Sequence, residues 1–170
     1  MKTVKVIVIF LVVVSLVFFG TGLVIKDSSY SIEISVDKPL EETFAKFNDM
    51  STVKEWIPEY TSVETISQKP EITGSVYNII VENQGQKVTI KEKILAYIEN
   101  EKVTLFFDRE GVLETDDYTF KSDGDKTTIT LNSNYQAKTY ILGCVLPYFK
   151  GTFKDVDQKY LENFKAFAEK

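Results

Sequence analysis

Glu92 and Arg109 are the two charged residues whose positions point to chemistry inside the folded chain. Glu92 alternates with Ile90 and Ile94, so a β-strand would direct its carboxylate to the buried face. A carboxylate placed there orients a ligand, handles a proton with a raised pKa, or is paired internally. Arg109, the only arginine, shares a strand face with Phe107 and could bind an anionic headgroup through two hydrogen bonds. The alternative is that Glu92 and Arg109 pair with each other or lie at a solvated edge.

Seven aromatic residues join these two as candidates for a ligand-binding site. Tryptophan and tyrosine combine a ring with a polar group and are common in pockets of mixed polarity. The alternative is that these rings fill the core. Large inward side chains such as Phe153 and Phe164 would then leave no cavity. The predicted ligand-binding residues are Trp56, Tyr77, Glu92, Phe107, Arg109, Tyr118, Tyr135, Phe153 and Tyr160.

An acidic group formed by Glu114, Asp116 and Asp117 lies on a predicted strand. A calcium site gathers several oxygens from a loop, and alternating strand residues do not provide such a set. We therefore predict that these three side chains lie at a solvated strand end. No metal and no cofactor is predicted.

Histidine is absent from the sequence, and Cys144 is the only cysteine. These two facts exclude Ser-His-Asp and Cys-His catalysis, zinc sites that use imidazole, and an internal disulfide. The apolar context of Cys144 favours a small buried thiol over a reactive one. No catalytic residue is predicted, and a binding role is favoured over an enzymatic one.

The charge of the chain disfavours nucleic acid as a partner. The formal net charge is -5 over 170 residues, and the basic residues form no stripe. Lys and Arg contacts to phosphates supply most of the affinity for nucleic acid, so an acidic chain of this kind is a poor candidate.

Residues 6–25 form an uncharged apolar run of about 20 residues, long enough to cross a bilayer as a helix. Lys2 and Lys5 precede the run, and the positive-inside rule then favours a cytoplasmic amino terminus and an extracytoplasmic remainder. The alternative is a signal peptide cleaved near Gly20-Thr21-Gly22, which would release a secreted protein. Because the apolar run continues past that triplet, we predict an uncleaved anchor over residues 1–27 and a folded domain over residues 28–170.

The carboxy-terminal segment has the clearest helical pattern. Apolar residues recur at steps of three and four, which predicts one apolar stripe along a helix that begins between Leu146 and Thr152. Such a stripe needs a large apolar surface to lie on. Its predicted residues are Phe149, Phe153, Val156, Tyr160, Phe164 and Phe167.

Strands and turns are predicted between the amino-terminal apolar run and the carboxy-terminal helix. Alternation predicts a first strand from Tyr30 to Val36, followed after Pro39 by a short helix over residues 40–47 and a further turn or two within residues 51–56. Six more strands follow, with turn signals at residues 83–86 and 122–125. The predicted fold class is therefore α+β, a curved antiparallel sheet of about seven strands wrapped on the long last helix.

Four local sequences carry a family resemblance over about residues 30–168. They occur in order and at matching spacing, and they are Ser35–Phe44, Asn48–Pro58, Gly74–Tyr77 and the end of the last helix, Phe164–Phe167. The pattern resembles the START-like helix-grip (SRPBCC) superfamily, in particular its polyketide cyclase/dehydrase and lipid-transport-like branch.

The resemblance implies a hydrophobic cavity between sheet and helix that holds an apolar or amphipathic molecule. It does not imply one activity, because the superfamily includes lipid carriers, hormone receptors and aromatic cyclases. The favoured hypothesis is a membrane-tethered binding module for a hydrophobic, lipid-like small molecule. The alternatives are an envelope protein-interaction domain with a collapsed cavity, and a cyclase- or hydratase-like enzyme that uses Glu92 or a tyrosine as acid or base.

Overall fold

The computed structural model describes residues 2–25, 27–83 and 85–170. Two 3₁₀ turns span Val53–Glu55 and Leu146–Phe149. The helices and strands of the described residues are α1 (Lys2–Val24), β1 (Asp27–Val36), α2 (Leu40–Phe47), β2 (Tyr60–Ser67), β3 (Val76–Asn83), β4 (Gln86–Ile98), β5 (Lys102–Arg109), β6 (Val112–Asp123), β7 (Lys126–Ala137), α3 (Tyr140–Val145) and α4 (Lys150–Ala168).

The seven strands form one curved antiparallel sheet in the order β1-β7-β6-β5-β4-β3-β2. Strands β2 to β7 are neighbours in chain order, as short antiparallel connections require. β1 returns to the other edge and pairs with β7 from Asp27 opposite Gln136 to Val36 opposite Thr127. The long helix α4 lies across the concave face of the sheet, so the predicted α+β helix-grip architecture is confirmed.

β1 shows how alternation selects the inner face of the sheet. Every second side chain from Ser28 to Val36 is buried, and the side chains between them are exposed. The strand begins at Asp27 and not near Tyr30 as predicted, because Ser28 already pairs with Tyr135 of β7. The polar residues before Tyr30 therefore extend the sheet and do not form a separate joint.

The other predicted elements lie close to their predicted positions, with one addition. α2 has the predicted bounds, the turn predicted within residues 51–56 is the 3₁₀ turn Val53–Glu55, and α4 begins inside the predicted interval. The addition is α3, whose first turn is capped by the Thr139 hydroxyl accepting a hydrogen bond from the backbone N–H of Leu142. The turn predicted at residues 83–86 includes Gln84, which lies outside the described residues.

An aromatic cluster fixes α2 and α4 against the sheet. The ring of Phe47 in α2 lies 5.3, 5.2 and 5.1 Å, centroid to centroid, from the rings of Trp56, Phe120 and Phe164. These separations suit offset and edge-to-face packing, which adds to the stabilisation from apolar burial. The cluster therefore joins α2, the turn after it, β6 and α4 into one core.

The buried face of α4 differs from the predicted stripe. Phe164 is fully buried as predicted, but Phe149 and Val156 are 48% and 42% exposed. Leu161 and Ala168 are buried instead, and they stand three residues before and four residues after Phe164, on the same helix face. The apolar content of the segment predicted a helix correctly, but the contact with the sheet decides which side of that helix is buried.

Among the described residues, α1 is the single helix long and apolar enough to cross a membrane. Its last turns pack against α3. The ring of Tyr140 stacks on Phe19, and its hydroxyl donates a hydrogen bond to the Phe19 carbonyl oxygen at 2.6 Å. Gly22 contacts Cys144, which is fully buried, as expected for a small apolar thiol.

Candidate functional site

A cavity of about 430 Å³ lies between the concave face of the sheet and α4. Strands β2 to β7 and α4 contribute its walls. The lining residues Met50, Gln68 and Val156 are exposed, so the cavity opens to solvent beside α4. Its volume is in the range of pockets that hold small organic molecules. An open volume of this size argues against the alternative of a collapsed cavity.

All nine predicted ligand-binding residues line this cavity. Trp56, Glu92 and Tyr135 are buried, whereas Arg109 lies toward solvent, with 44% of its side chain exposed. Their positions agree with a role in binding a ligand, and that role stays a prediction.

The acidic residues of β6 form a polar end of the cavity, and the predicted solvated strand end is wrong for two of the three. Glu114 and Asp116 are 1% and 4% exposed, because β6 is an inner strand and their side chains face α4. Asp117 points to the opposite face, as alternation requires. There it pairs with Lys102 at 2.9 Å and accepts a hydrogen bond from Thr104 at 2.6 Å.

Protein donors hold both buried carboxylates of β6. The Nη2 atom of Arg109 lies 2.6 Å from Oε2 of Glu114, and the Tyr135 hydroxyl donates a hydrogen bond to Oε1 of Glu114. The Ser133 hydroxyl donates to Oδ1 of Asp116 at 2.6 Å. β5 and β7 flank β6 in the sheet, so they supply these partners from both sides.

Asp157 of α4 belongs to the same polar end and is a site residue that the sequence analysis missed. Its carboxylate accepts a hydrogen bond from the Tyr30 hydroxyl at 2.6 Å, and that hydroxyl lies 3.3 Å from the hydroxyl of Tyr135. Asp157 stands four residues before Leu161 and seven before Phe164, on the buried side of the helix. A carboxylate in line with buried apolar residues is the sequence signal that could have identified it.

Glu92 is buried without a polar partner. It is 4% exposed and lines the cavity, and no side chain among the described residues forms a hydrogen bond or an ion pair with it. The residues directly opposite it are Tyr77 of β3 and Phe107 of β5. The Glu92–Arg109 pair considered from the sequence is not formed, because Arg109 pairs with Glu114.

Burial controls the titration of these carboxyl groups, because removal from water disfavours their charged form. Burial raises the pKa of Glu92 to about 7. It raises the pKa of Asp157 to about 6, against the opposing effect of the hydrogen bond from Tyr30. The pKa of Asp116 rises well above its ordinary value through burial and the nearby Glu114 and Asp157 carboxylates. Several carboxyl groups of the cavity therefore change charge closer to neutral pH than exposed ones do.

Glu114, Asp116 and Asp157 each place one carboxylate oxygen within 4.8 Å of the others. Three carboxylates at this spacing are a possible donor set for a hard cation. However, each of the three already accepts a hydrogen bond from a hydroxyl group, and the Arg109 guanidinium supplies positive charge. The cluster is therefore largely held by its own side chains, although Oε2 of Glu114 has the ion pair with Arg109 and no hydrogen bond.

Replacing Arg109 by methionine should destabilise the protein by roughly 1–3 kcal/mol, because the Glu114 carboxylate then stays buried without its counter-charge. Partial exposure of Arg109 keeps the expected cost below that of a fully buried pair. Lys102→Met is the matched control, since it breaks a part-exposed pair with Asp117 and should cost at most about 1 kcal/mol. Urea unfolding of the full chain in detergent micelles compares the two, and equal costs would contradict the assigned role of Arg109.

One protein-family model matches most of the sequence. It describes polyketide cyclase / dehydrase and lipid transport proteins and matches residues 28–169. The chain belongs to this family. The match contains the cavity, all of α4 and the whole sheet except Asp27, and it leaves α1 outside. The resemblance stated from the sequence is confirmed, and no curated protein matches the sequence.

Solved structures share the fold at low sequence identity. A START superfamily protein from Mycobacterium smegmatis is 15% identical, with a TM-score of 0.68 over 84% of this chain and 97% of that chain. A protein from Thermus thermophilus is 15% identical, with a TM-score of 0.64 over 82% and 96% of the two chains. The di-domain ARO/CYC protein StfQ of the steffimycin biosynthetic pathway is 13% identical, with a TM-score of 0.68 over 84% of this chain and 51% of StfQ. At these identities the similarity shows the fold alone.

Proposed function

We propose that this protein is a membrane-tethered binding module that holds a hydrophobic or amphipathic small molecule in the cavity under α4. The observation that carries the proposal is an open cavity of about 430 Å³ with apolar walls and one polar end. The family description includes lipid transport, which agrees with a binding role. The chain also lacks histidine, so the common nucleophile–base pairs are absent.

The packing of α1 on α3 supports the tether. A Cβ atom added at Gly22 would lie 2.5 Å from Sγ of Cys144 and 3.1 Å from its backbone nitrogen, so the two helices are in close contact. Exposed tyrosines such as Tyr140 and Tyr148 are typical of the membrane–water interface. We infer that α1 stays attached, with a cytoplasmic amino terminus and residues 28–170 on the other side. The exposed apolar side chains beside the contact are Tyr140, Ile141, Tyr148 and Phe149.

Gly22→Leu should make Cys144 accessible, because a larger side chain separates α1 from α3. We expect maleimide to label the variant several times faster than the wild type in lipid nanodiscs. Gly20→Leu is the matched control, since a Cβ at Gly20 meets nothing within 4 Å. Equal labelling rates for the two variants would contradict the contact between α1 and α3. The mass of the membrane-bound chain is a second measurement: the full mass indicates an uncleaved anchor, and a lower mass indicates a cleaved signal peptide.

Native mass spectrometry of the full chain released from nanodiscs tests the binding role. We expect a mass excess that denaturation removes. Ile94→Phe adds bulk to the cavity wall and should lower the bound fraction, whereas Ile66→Phe changes an exposed residue outside the cavity and should not. A wild-type chain that carries no ligand and also takes up no fluorescent lipid would reject the proposal.

Glu92 favours a second candidate function, acid–base catalysis of the cyclase or hydratase type. A carboxyl group with a pKa of about 7 can both donate and accept a proton near neutral pH. This candidate predicts that a bound molecule leaves the protein chemically changed, and that Glu92→Gln still binds it but releases it unchanged. Release of unchanged ligand by the wild type would favour the binding module alone.

A further inference from the structure

The charges that line the cavity are unbalanced. Among the described residues that line the cavity, five carry a carboxyl group and one, Arg109, carries a positive charge. One nitrogen of Arg109 is already engaged by Glu114 at 2.6 Å, so part of its positive charge is balanced within the protein. A ligand with a negative charge would also meet the remaining carboxyl groups. The five are Glu59, Glu92, Glu114, Asp116 and Asp157.

Glu92 is a buried carboxylate of the cavity without a hydrogen-bond donor from the described residues, and Oε2 of the half-buried Glu59 also lacks one. Hydroxyl donors hold the carboxylates of the polar end, but Glu92, at 4% exposure, has no such donor. Tyr77 and Phe107 stand directly opposite it on the two neighbouring strands, on the same inner face. The Arg109 guanidinium already lies 5.4 Å from the centroid of the Phe107 ring, so the Tyr77 ring and the Glu92 carboxylate are the groups left to attract an organic ammonium group.

We propose that the cavity binds an amphipathic organic amine, with its apolar body against the inner strand residues and its ammonium group paired with Glu92. This inference rests on the proposed binding function and names the ligand class. The apolar walls beside Glu92 include Ile79, Ile90 and Ile94. A metal ion is a poorer occupant here, because a hard cation needs several oxygens and Glu92 offers one carboxylate among rings.

Binding of the amine should release protons near neutral pH. The pKa of Glu92 is about 7, so part of the protein holds a proton there that an ammonium ion would displace. Affinity should therefore increase from about pH 5.5 to about pH 7.5 as the carboxyl group ionises. The other titratable and charged groups that face this part of the cavity are Glu59, Tyr60, Tyr77, Tyr97, Arg109, Glu114, Asp116, Tyr118, Tyr135, Asp157 and Tyr160.

A matched series of probes tests the sign of the ligand charge. Naphthylmethylammonium, naphthylmethanol and naphthoate share one ring system and carry a positive, a neutral and a negative head. Calorimetric titration uses the full chain in nanodiscs of zwitterionic lipid, with empty nanodiscs as the blank. We expect the ammonium probe to bind about tenfold more tightly than the alcohol, and naphthoate to bind most weakly.

Glu92→Gln tests the assigned residue, because it removes the charge and keeps the size of the side chain. We expect it to weaken binding of the ammonium probe about tenfold and to leave binding of the alcohol unchanged. Titrations in two buffers of different ionisation enthalpy should show that proton release on binding decreases in this variant. Glu64→Gln, an exposed change on β2, is the control and should alter none of these values.

The two proposals fail in different ways. If no probe binds, the binding function and the ligand class are both overturned. If the alcohol or naphthoate binds as tightly as the ammonium probe, the cavity binds small molecules but the ligand class is wrong. If Glu92→Gln retains the full preference for the ammonium probe, the assignment to Glu92 is wrong.

Discussion

Phe164→Ala is expected to destabilise the folded chain by about 3–5 kcal/mol, because it removes a large ring from a fully buried position. The ring lies 5.1 Å from that of Phe47 and 5.3 Å from that of Trp56, centroid to centroid. These neighbours belong to α2 and the turn after it, so no single element can move to fill the space. Urea unfolding measures the loss, and the fluorescence of Trp56, the only tryptophan, reports the change beside it.

Controls on the same segment separate the observed buried face from the stripe predicted from the sequence. Val156→Ala and Phe149→Ala change exposed residues of that stripe, and each should cost less than about 1 kcal/mol. Leu161→Ala changes a buried residue that the stripe omitted and should cost about 2–5 kcal/mol. If the exposed residues cost as much as Leu161, the orientation of α4 described here would be wrong.

The fold was predictable because its signals are local. A strand buried on one face must alternate, and β1 does so through its full length. Pro39 precedes α2, and the turn residues Gly124 and Asp125 separate β6 from β7, so several element boundaries are specified by neighbouring residues. The family resemblance then fixed how these elements are arranged.

The polar end of the cavity was not predictable to the same degree, because it depends on contacts between distant elements. Glu114 and Asp116 alternate in phase with Tyr118 and Phe120 and share their strand face, but charged side chains are ordinarily exposed. Burial of these carboxylates needs donors from other strands, and the sequence does not show which strand supplies them. The pairing of Arg109 with Glu114 instead of Glu92 has the same cause.

A large effect of pH on stability is expected from Glu92. Burial raises its pKa from an ordinary value of 4.5 to about 7, so the folded chain keeps a proton in a range where the unfolded chain has lost it. Stability should therefore decrease as pH rises through this window, by up to about 3 kcal/mol from this group. Asp157, with a pKa raised to about 6, contributes in the same direction.

Glu92→Gln should remove the Glu92 part of this dependence. The glutamine side chain stays neutral, so the variant should be more stable than the wild type at about pH 8 and close to it at about pH 4.5. Urea unfolding of the full chain at several pH values measures the difference, with Glu64→Gln as the exposed control. Parallel profiles for wild type and Glu92→Gln would contradict a buried, unpaired carboxyl group. If the stability profiles of wild type and Glu92→Gln meet at low pH and separate at high pH, ionised Glu92 destabilises the free protein. A positively charged ligand paired with Glu92 would remove that destabilisation.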